Sequence, residues 1–329
     1  FNYYIMIEKE RVIFWQRNEN RKKRLLLTFI GPIRSALNYE HEKAYKAYKA
    51  GIAITDQWLN ENITGDRLKL ALVALWLRTG FMYAKNSYFE IRKLKFQSAG
   101  RNEVWVNELL KYLSTENYGL VKDITEETRN QIAKGIQKAI DEGLGIPEAA
   151  KLIIGDQVNR VRAKRIARTE ILSASNHGSY IGALSNEFQT TKHWVSVFDN
   201  RTRRKPRDKF DHLDMDKQIA DLKSPFIVSG QPALYPGDVR LSAGNRINCR
   251  CTLYFKAKRD ANGLIIPNDP IILQPIQQPS TIYLINIFSN IITASTLSLV
   301  ISENQDFINT LRKIFNNSGL EEVFNSLFG

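Results

Sequence analysis

The chain has 329 residues, enough for two or three domains and at least one sizeable core. Hydrophobic content of 43% and charged content of 25% are ordinary for a globular protein and set aside a wholly disordered chain. A net charge of +13 is not ordinary: such an excess concentrates polyanions, nucleic-acid phosphate foremost, although a basic surface also serves an acidic protein partner or plain solubility.

Only two cysteines occur, Cys249 and Cys251. A disulfide between such near neighbours would be badly strained, so the chain carries no disulfide framework, which fits a reducing compartment. It begins with Phe1, and no signal-peptide layout is expected, because Arg and Glu interrupt the apolar residues before Trp15.

Residues 1–155 read as a helical scaffold or docking region that carries no chemistry. Helices are expected over Arg21 to Gly51, with a break near Gly31-Pro32, and over Arg67 to Phe96, where Leu68, Leu70, Leu72, Val73, Leu75 and Trp76 make a nearly continuous apolar block. Two more are expected over Val104 to Leu113 and Glu126 to Ile140, with Asp123 or Thr125 as the cap of the latter.

Asp156 to Phe188 reads as one long helix. Ala163, Ala167, Ile171, Ala174, Gly178 and Ile181 recur at spacings of four and three, so small residues trace one face and a neighbouring backbone can approach closely. Arg160, Arg162, Lys164, Arg165 and Arg168 crowd its first half, as a solvated basic face or as phosphate contacts. A polar break is expected at Gln189 to Lys192, then a strand over Trp194 to Phe198, a basic loop from Asp199 to Arg207 and a loop-rich stretch to Gly244. A second strand is expected over Cys249 to Lys256. The fold class is α+β: a helical N-terminal region, a long helix with a small loop-rich mixed domain over 156–262, and a C-terminal extension. Four prolines between Pro267 and Pro279 mark 263–279 as a linker. The tail, 280–329, contains an apolar stretch from Tyr283 to Ile301 of about the length of a membrane span. Asn286, Asn290 and several Ser and Thr interrupt it, so a docking tail with no membrane span is expected.

Two stretches then resemble a known pattern. The first is Arg165-Ile-Ala-Arg168-Thr169-Glu170, followed by Ala174, Asn176, Gly178 and Tyr180. The second runs Lys192-His-Trp194, Asp199-Asn-Arg201-Thr-Arg203, Arg207, His212, Met215-Asp216, Gln218, Tyr235-Pro236-Gly237-Asp238 and Asn248-Cys249-Arg-Cys251. This ordered set, from Arg160 to Tyr254, resembles the phage Mu F-like head-morphogenesis family. One departure is Lys217, where the family often has Gly after the residue matching Asp216, which puts the tight turn there in question.

Each residue also has a physical reading. Pro236 and Gly237 suit the two central positions of a type II turn. Cys249 and Cys251 at i and i+2 face the same way on a strand and read as packed thiols, with no metal. The weaker alternative is a zinc site with His212 and Asp214 or Asp216. Asp199, Arg201, Arg203, Arg207, Asp211, His212, Asp214 and Asp216 read as buttresses of an irregular backbone rather than as acid–base groups. His41, His177 and His193 stand alone.

The resemblance implies a structural minor head protein of a tailed phage, not an enzyme, with no cofactor. Its implied partners are the portal and/or major capsid protein, in multiple copies per virion, after assembly in the host cytoplasm. Arg162, Lys164, Arg165, Arg201, Arg203, Arg204 and Lys205 are the candidates for non-specific contact with packaged DNA. The alternative is a metal-dependent nuclease or transferase using His212 and the Asp cluster with Cys249 and Cys251.

Overall fold

A computed structural model describes residues 8–92, 102–115, 118–197 and 199–268. The linker beyond 268, the tail and the apolar stretch at Tyr283 to Ile301 lie outside the described residues. Among the described residues, no helix is long and apolar enough to cross a membrane.

Helices dominate the first 184 residues: α1 (Glu8–Lys49), α2 (Asp56–Asn62), α3 (Asp66–Arg92), α4 (Asn102–Thr115), α5 (Tyr118–Asp141), α6 (Ile146–Ile154) and α7 (Asp156–Leu184). The expected break at Gly31-Pro32 does not occur, and α1 continues through Pro32. An interior proline costs a helix about 3 kcal/mol. Burial of Phe29, Ile33, Ala36 and Leu37 around it offsets that cost. The expected cap at Asp123 or Thr125 is also corrected, since both lie inside α5. A true side-chain cap starts α2, where Thr55 Oγ1 accepts from the Trp58 amide at 3.2 Å.

The remainder is a small mixed domain. Strand β1 (Thr190–Val195) is the centre of a three-stranded antiparallel sheet between β2 (Ile219–Asp221) and β5 (Thr252–Ala257), pairing Trp194 with Leu253. The expected polar break at Gln189 to Lys192 is therefore mostly strand, and Phe198 lies outside the described residues. All six residues of β1, the central strand of this sheet, are buried. Its polar side chains are accommodated: Lys192 Nζ donates to Leu234 O at 2.8 Å, and His193 stacks on Tyr254 at 4.4 Å. The second strand begins at Thr252, not Cys249. A hairpin, β3 (Phe226–Val228) and β4 (Gln231–Ala233), turns through Ser229 (φ 48) and Gly230 (φ 83), the left-handed pair that a tight two-residue hairpin requires. One turn of helix, α8 (Ala243–Arg246), precedes Cys249.

Contacts group the described residues into two compact units: one of 8–26, 75–92, 102–111 and 168–268, the other of 27–74, 112–115, 118–167. Both draw residues from either side of position 155. The core of the first includes Leu172, Trp194, Phe226, Tyr235 and Leu253. The core of the second includes Ala44, Leu59, Ile63, Ile132, Ile136 and Ile153.

Candidate functional site

The site is built on α7, which has two working faces. Along one, the small-residue stripe is buried. A Cβ on Gly178 would stand 2.1 Å from Gly80 O and one on Gly182 2.1 Å from Ala84 O, so only hydrogen fits there against α3. Along the other, Thr169, Glu170, Ser173, Asn176 and His177 follow at helical spacing, all buried. Each reaches into the loops of the mixed domain. Thr169 Oγ1 accepts from the Asn248 amide at 3.2 Å, and Glu170 accepts from Arg246 at 2.5 Å and Trp76 Nε1 at 3.0 Å. Ser173 donates to Gly237 O at 2.8 Å, and Asn176 donates to Pro236 O and Cys251 O. His177 Nδ1 meets the Tyr235 hydroxyl at 2.8 Å. Burial holds that imidazole near pKa 3, hence neutral. Buried carbonyls without strand partners need donors, and α7 supplies them.

The turn at Tyr235–Asp238 closes with the Asp238 amide on Tyr235 O, and Gly237 has φ 80. Asp238 accepts from the Leu234 amide and pairs with Arg240. Asp199 accepts from the amides of Arg201 and Thr202 and from both terminal nitrogens of Arg250. The hydrogen bond from Arg250 holds its carboxyl well below the usual range. Arg207 donates to Asn200 O and Thr202 O, both at 2.6 Å. Asp211 accepts from the amides of Lys205, Leu213 and Asp214. Asp216 accepts from the Ser196 amide and pairs with Arg11. Lys217 takes φ 67 and its amide donates to Trp194 O, so the tight turn is made without glycine.

His212, Cys249 and Cys251 come together, and no carboxylate joins them among the described residues. Asp214 and Asp216 are not part of the group. Cys249 Sγ lies 3.4 Å and Cys251 Sγ 3.7 Å from His212 Nδ1. His212 Nε2 stands 2.6 Å from Asn245 Oδ1, whose amide nitrogen donates to Val228 O. Nε2 therefore carries the proton and Nδ1 presents its lone pair to the sulfurs. Bonding to Cys251 draws the Cys249 thiol down to about 7 against its burial, helped by Arg203 and Lys22. Bonding to Cys249, with burial, pushes Cys251 well up. Burial lowers the His212 pKa, but the bond to Cys251, its charge and the bond to Asn245 outweigh this and raise it.

Of the candidate DNA-proximal residues, Arg162 is corrected. It is buried and donates to Gln131, Ile124 O and Thr128, so no face is left for phosphate. Lys164, Arg165, Arg201, Arg204 and Lys205 are exposed, while Arg203 is half-buried and bonded to Ile247 O. Arg168 is half-buried.

Sequence reading missed the contribution of the first helix. Trp15 Nε1 donates to Arg250 O at 3.2 Å, Phe14 packs edge-on to Tyr254, and Lys22 lies buried with its charge felt at both cysteines. No local signal marks these residues, since their partners are more than two hundred positions away. The polar stripe on α7, by contrast, was available as a second periodicity beside the small-residue one.

Comparison with known proteins places a name beside this geometry. A relative, the "Uncharacterized protein YqbB" of Bacillus subtilis (strain 168), is 26% identical over 156 residues, which cover 45% of each chain. The chain thus spans under half the length of that relative. No solved structure matches. The family model "Phage Mu protein F like protein" matches residues 130–254, the segment that contains the α7 stripe, the Tyr235–Asp238 turn and the cysteine pair, so this part of the chain is similar to the phage Mu F-like family.

Proposed function

We propose that the chain is a structural minor head protein of a tailed phage, assembled in the host cytoplasm with portal or major capsid subunits. It would be present in several copies and lie near packaged DNA. The family match over residues 130–254 supports a role in head morphogenesis. The observation that carries the structural rather than catalytic reading is the use of the motif's charged groups. Asp199, Arg207, Asp211, Asp216 and Asp238 are bonded to main-chain groups of the loops they sit in. Groups committed in this way stiffen an irregular backbone and are poor candidates for proton transfer. The proposal includes the absence of turnover.

The test is to isolate heads of the encoding phage, detect the chain by mass spectrometry, locate it by density difference against heads lacking it, and assay the purified chain for nuclease activity. Presence beside the portal without turnover is the expected result. Absence from heads, or hydrolysis that His212→Ala abolishes in a folded protein, would overturn it.

A further inference from the structure

We propose that His212, Cys249 and Cys251 form a zinc-binding site that ties the 199–216 loop to the approach of β5. In a tetrahedral zinc site with bonds near 2.0–2.1 Å to nitrogen and 2.3 Å to sulfur, the nitrogen–sulfur edge is about 3.6 Å. The two edges at His212 Nδ1, 3.4 and 3.7 Å, bracket that value. A single imidazole lone pair accepts one S–H well, whereas two sulfurs converge on it here. All the donor atoms lie within 4.8 Å of one another, and all three residues are buried.

Two further observations point the same way. First, the imidazole is already set as a ligand. Asn245, fully buried, accepts from Nε2, and Val228 O and Gln231 hold its amide, the outer-sphere support that fixes ring and tautomer at metal sites. Second, Lys22 is 6% exposed, and its ammonium has no hydrogen-bond partner while acting electrostatically on both cysteines. An unpaired buried ammonium is costly. Metal-bound thiolates would keep negative charge on the two sulfurs that its charge already feels and so offset part of that cost. Binding would release two thiol protons, leaving a neutral centre of one Zn²⁺ and two thiolates. Two thiolates and an imidazole favour zinc over harder divalent ions. The fourth position would face the cleft bordered by Val197, Thr202 and Arg203 and fall to water or a small anion.

The full chain, expressed and purified without chelator, should contain one zinc by elemental analysis. After chelation it should take up one Co²⁺, with tetrahedral ligand-field bands and thiolate-to-cobalt charge transfer. Cys249→Ser and Cys251→Ser should each diminish that charge transfer, and His212→Ala should weaken metal binding by at least tenfold. Because these variants can fail to fold, the unaltered chain decides. If it takes up neither zinc nor cobalt while its circular dichroism shows it folded, the proposal is wrong. A thiolate absorbance without metal uptake also overturns it, assigning the cluster to a Lys22–Cys249 ion pair.

Discussion

Lys217 holds φ 67, a backbone conformation that a side chain with a Cβ seldom adopts. Its amide bond to Trp194 O and the neighbouring bond from the Gln218 amide to Met215 O keep it there. Lys217→Gly should relieve more strain than it adds in unfolded-chain entropy, raising stability by roughly 0.5–1 kcal/mol, read as a shift in the urea midpoint. Unchanged or lower stability would show that Lys217's own contacts outweigh the strain. Glu40 presents a different case. Burial lifts its carboxyl to about 7, opposed by the bond from the Gly65 amide to Oε1. A carboxyl whose folded pKa lies above its unfolded value contributes stability that is complete below about 4.5 and is lost as pH rises through about 7. Glu40→Gln keeps the acceptor for Gly65 without the charge. It should leave stability unchanged at pH 4 and raise it above pH 7 by about 3 kcal/mol, measured by denaturation at the two pH values. At this scale the sequence is legible where geometry is local. Pro236 and Gly237 announce their turn because φ preference belongs to the residue itself, whereas Lys217 turns because of a carbonyl 23 positions away.

Helix α7 shows how much of an element can be read in advance. Its small-residue stripe was visible because spacing of three and four is a property of the helix alone. The polar stripe was not used in the same way, since Ser173 and Asn176 show their purpose only beside the backbone of residues 236, 237 and 251. Strand β1 was mislaid for the same reason: Thr190 to Lys192 look like a loop until β2 and β5 enclose them. Two substitutions separate the faces. Gly178→Ala puts a methyl against Gly80 backbone, which cannot rotate away, and should cost about 1–3 kcal/mol by separating α7 from α3. Glu170→Ala leaves the buried Arg246 guanidinium without its carboxylate and should cost about 3–5 kcal/mol. Thermal denaturation of both variants checks the ranking, and a smaller effect for Glu170→Ala would mean that Arg246 finds another partner or water.

For the whole molecule, the family-like segment and the folded unit are different things. Residues 130–254 omit Arg11, Trp15 and Lys22 of α1 and Trp76 and Gly80 of α3, all of which meet the mixed domain or α7 within one compact unit. A 130–254 fragment should therefore melt without a cooperative transition in calorimetry, while a chain spanning 8–268 melts cooperatively. A sharp transition in the short fragment would show that it stands alone. The exposed cations sort in the same experiment series: neutralising Arg201, Arg204 and Lys205 together should flatten the salt dependence of DNA binding, whereas Arg162→Gln should lower stability instead. No reading of the first 26 residues as a separate helix could have placed them beside the cysteines. That information sits in the long-range pairing.

The bond from Trp15 to Arg250 joins positions 235 apart. On the ribosome the first helix emerges long before its partner, and at about 5–20 residues per second the wait is on the order of 10–50 s. Through that interval Phe14 and Trp15 lack their native partners Tyr254 and Arg250. Vectorial synthesis thus leaves this end of the chain waiting for residues 250–254, and a translational pause before residue 250 should lengthen its exposure to proteases.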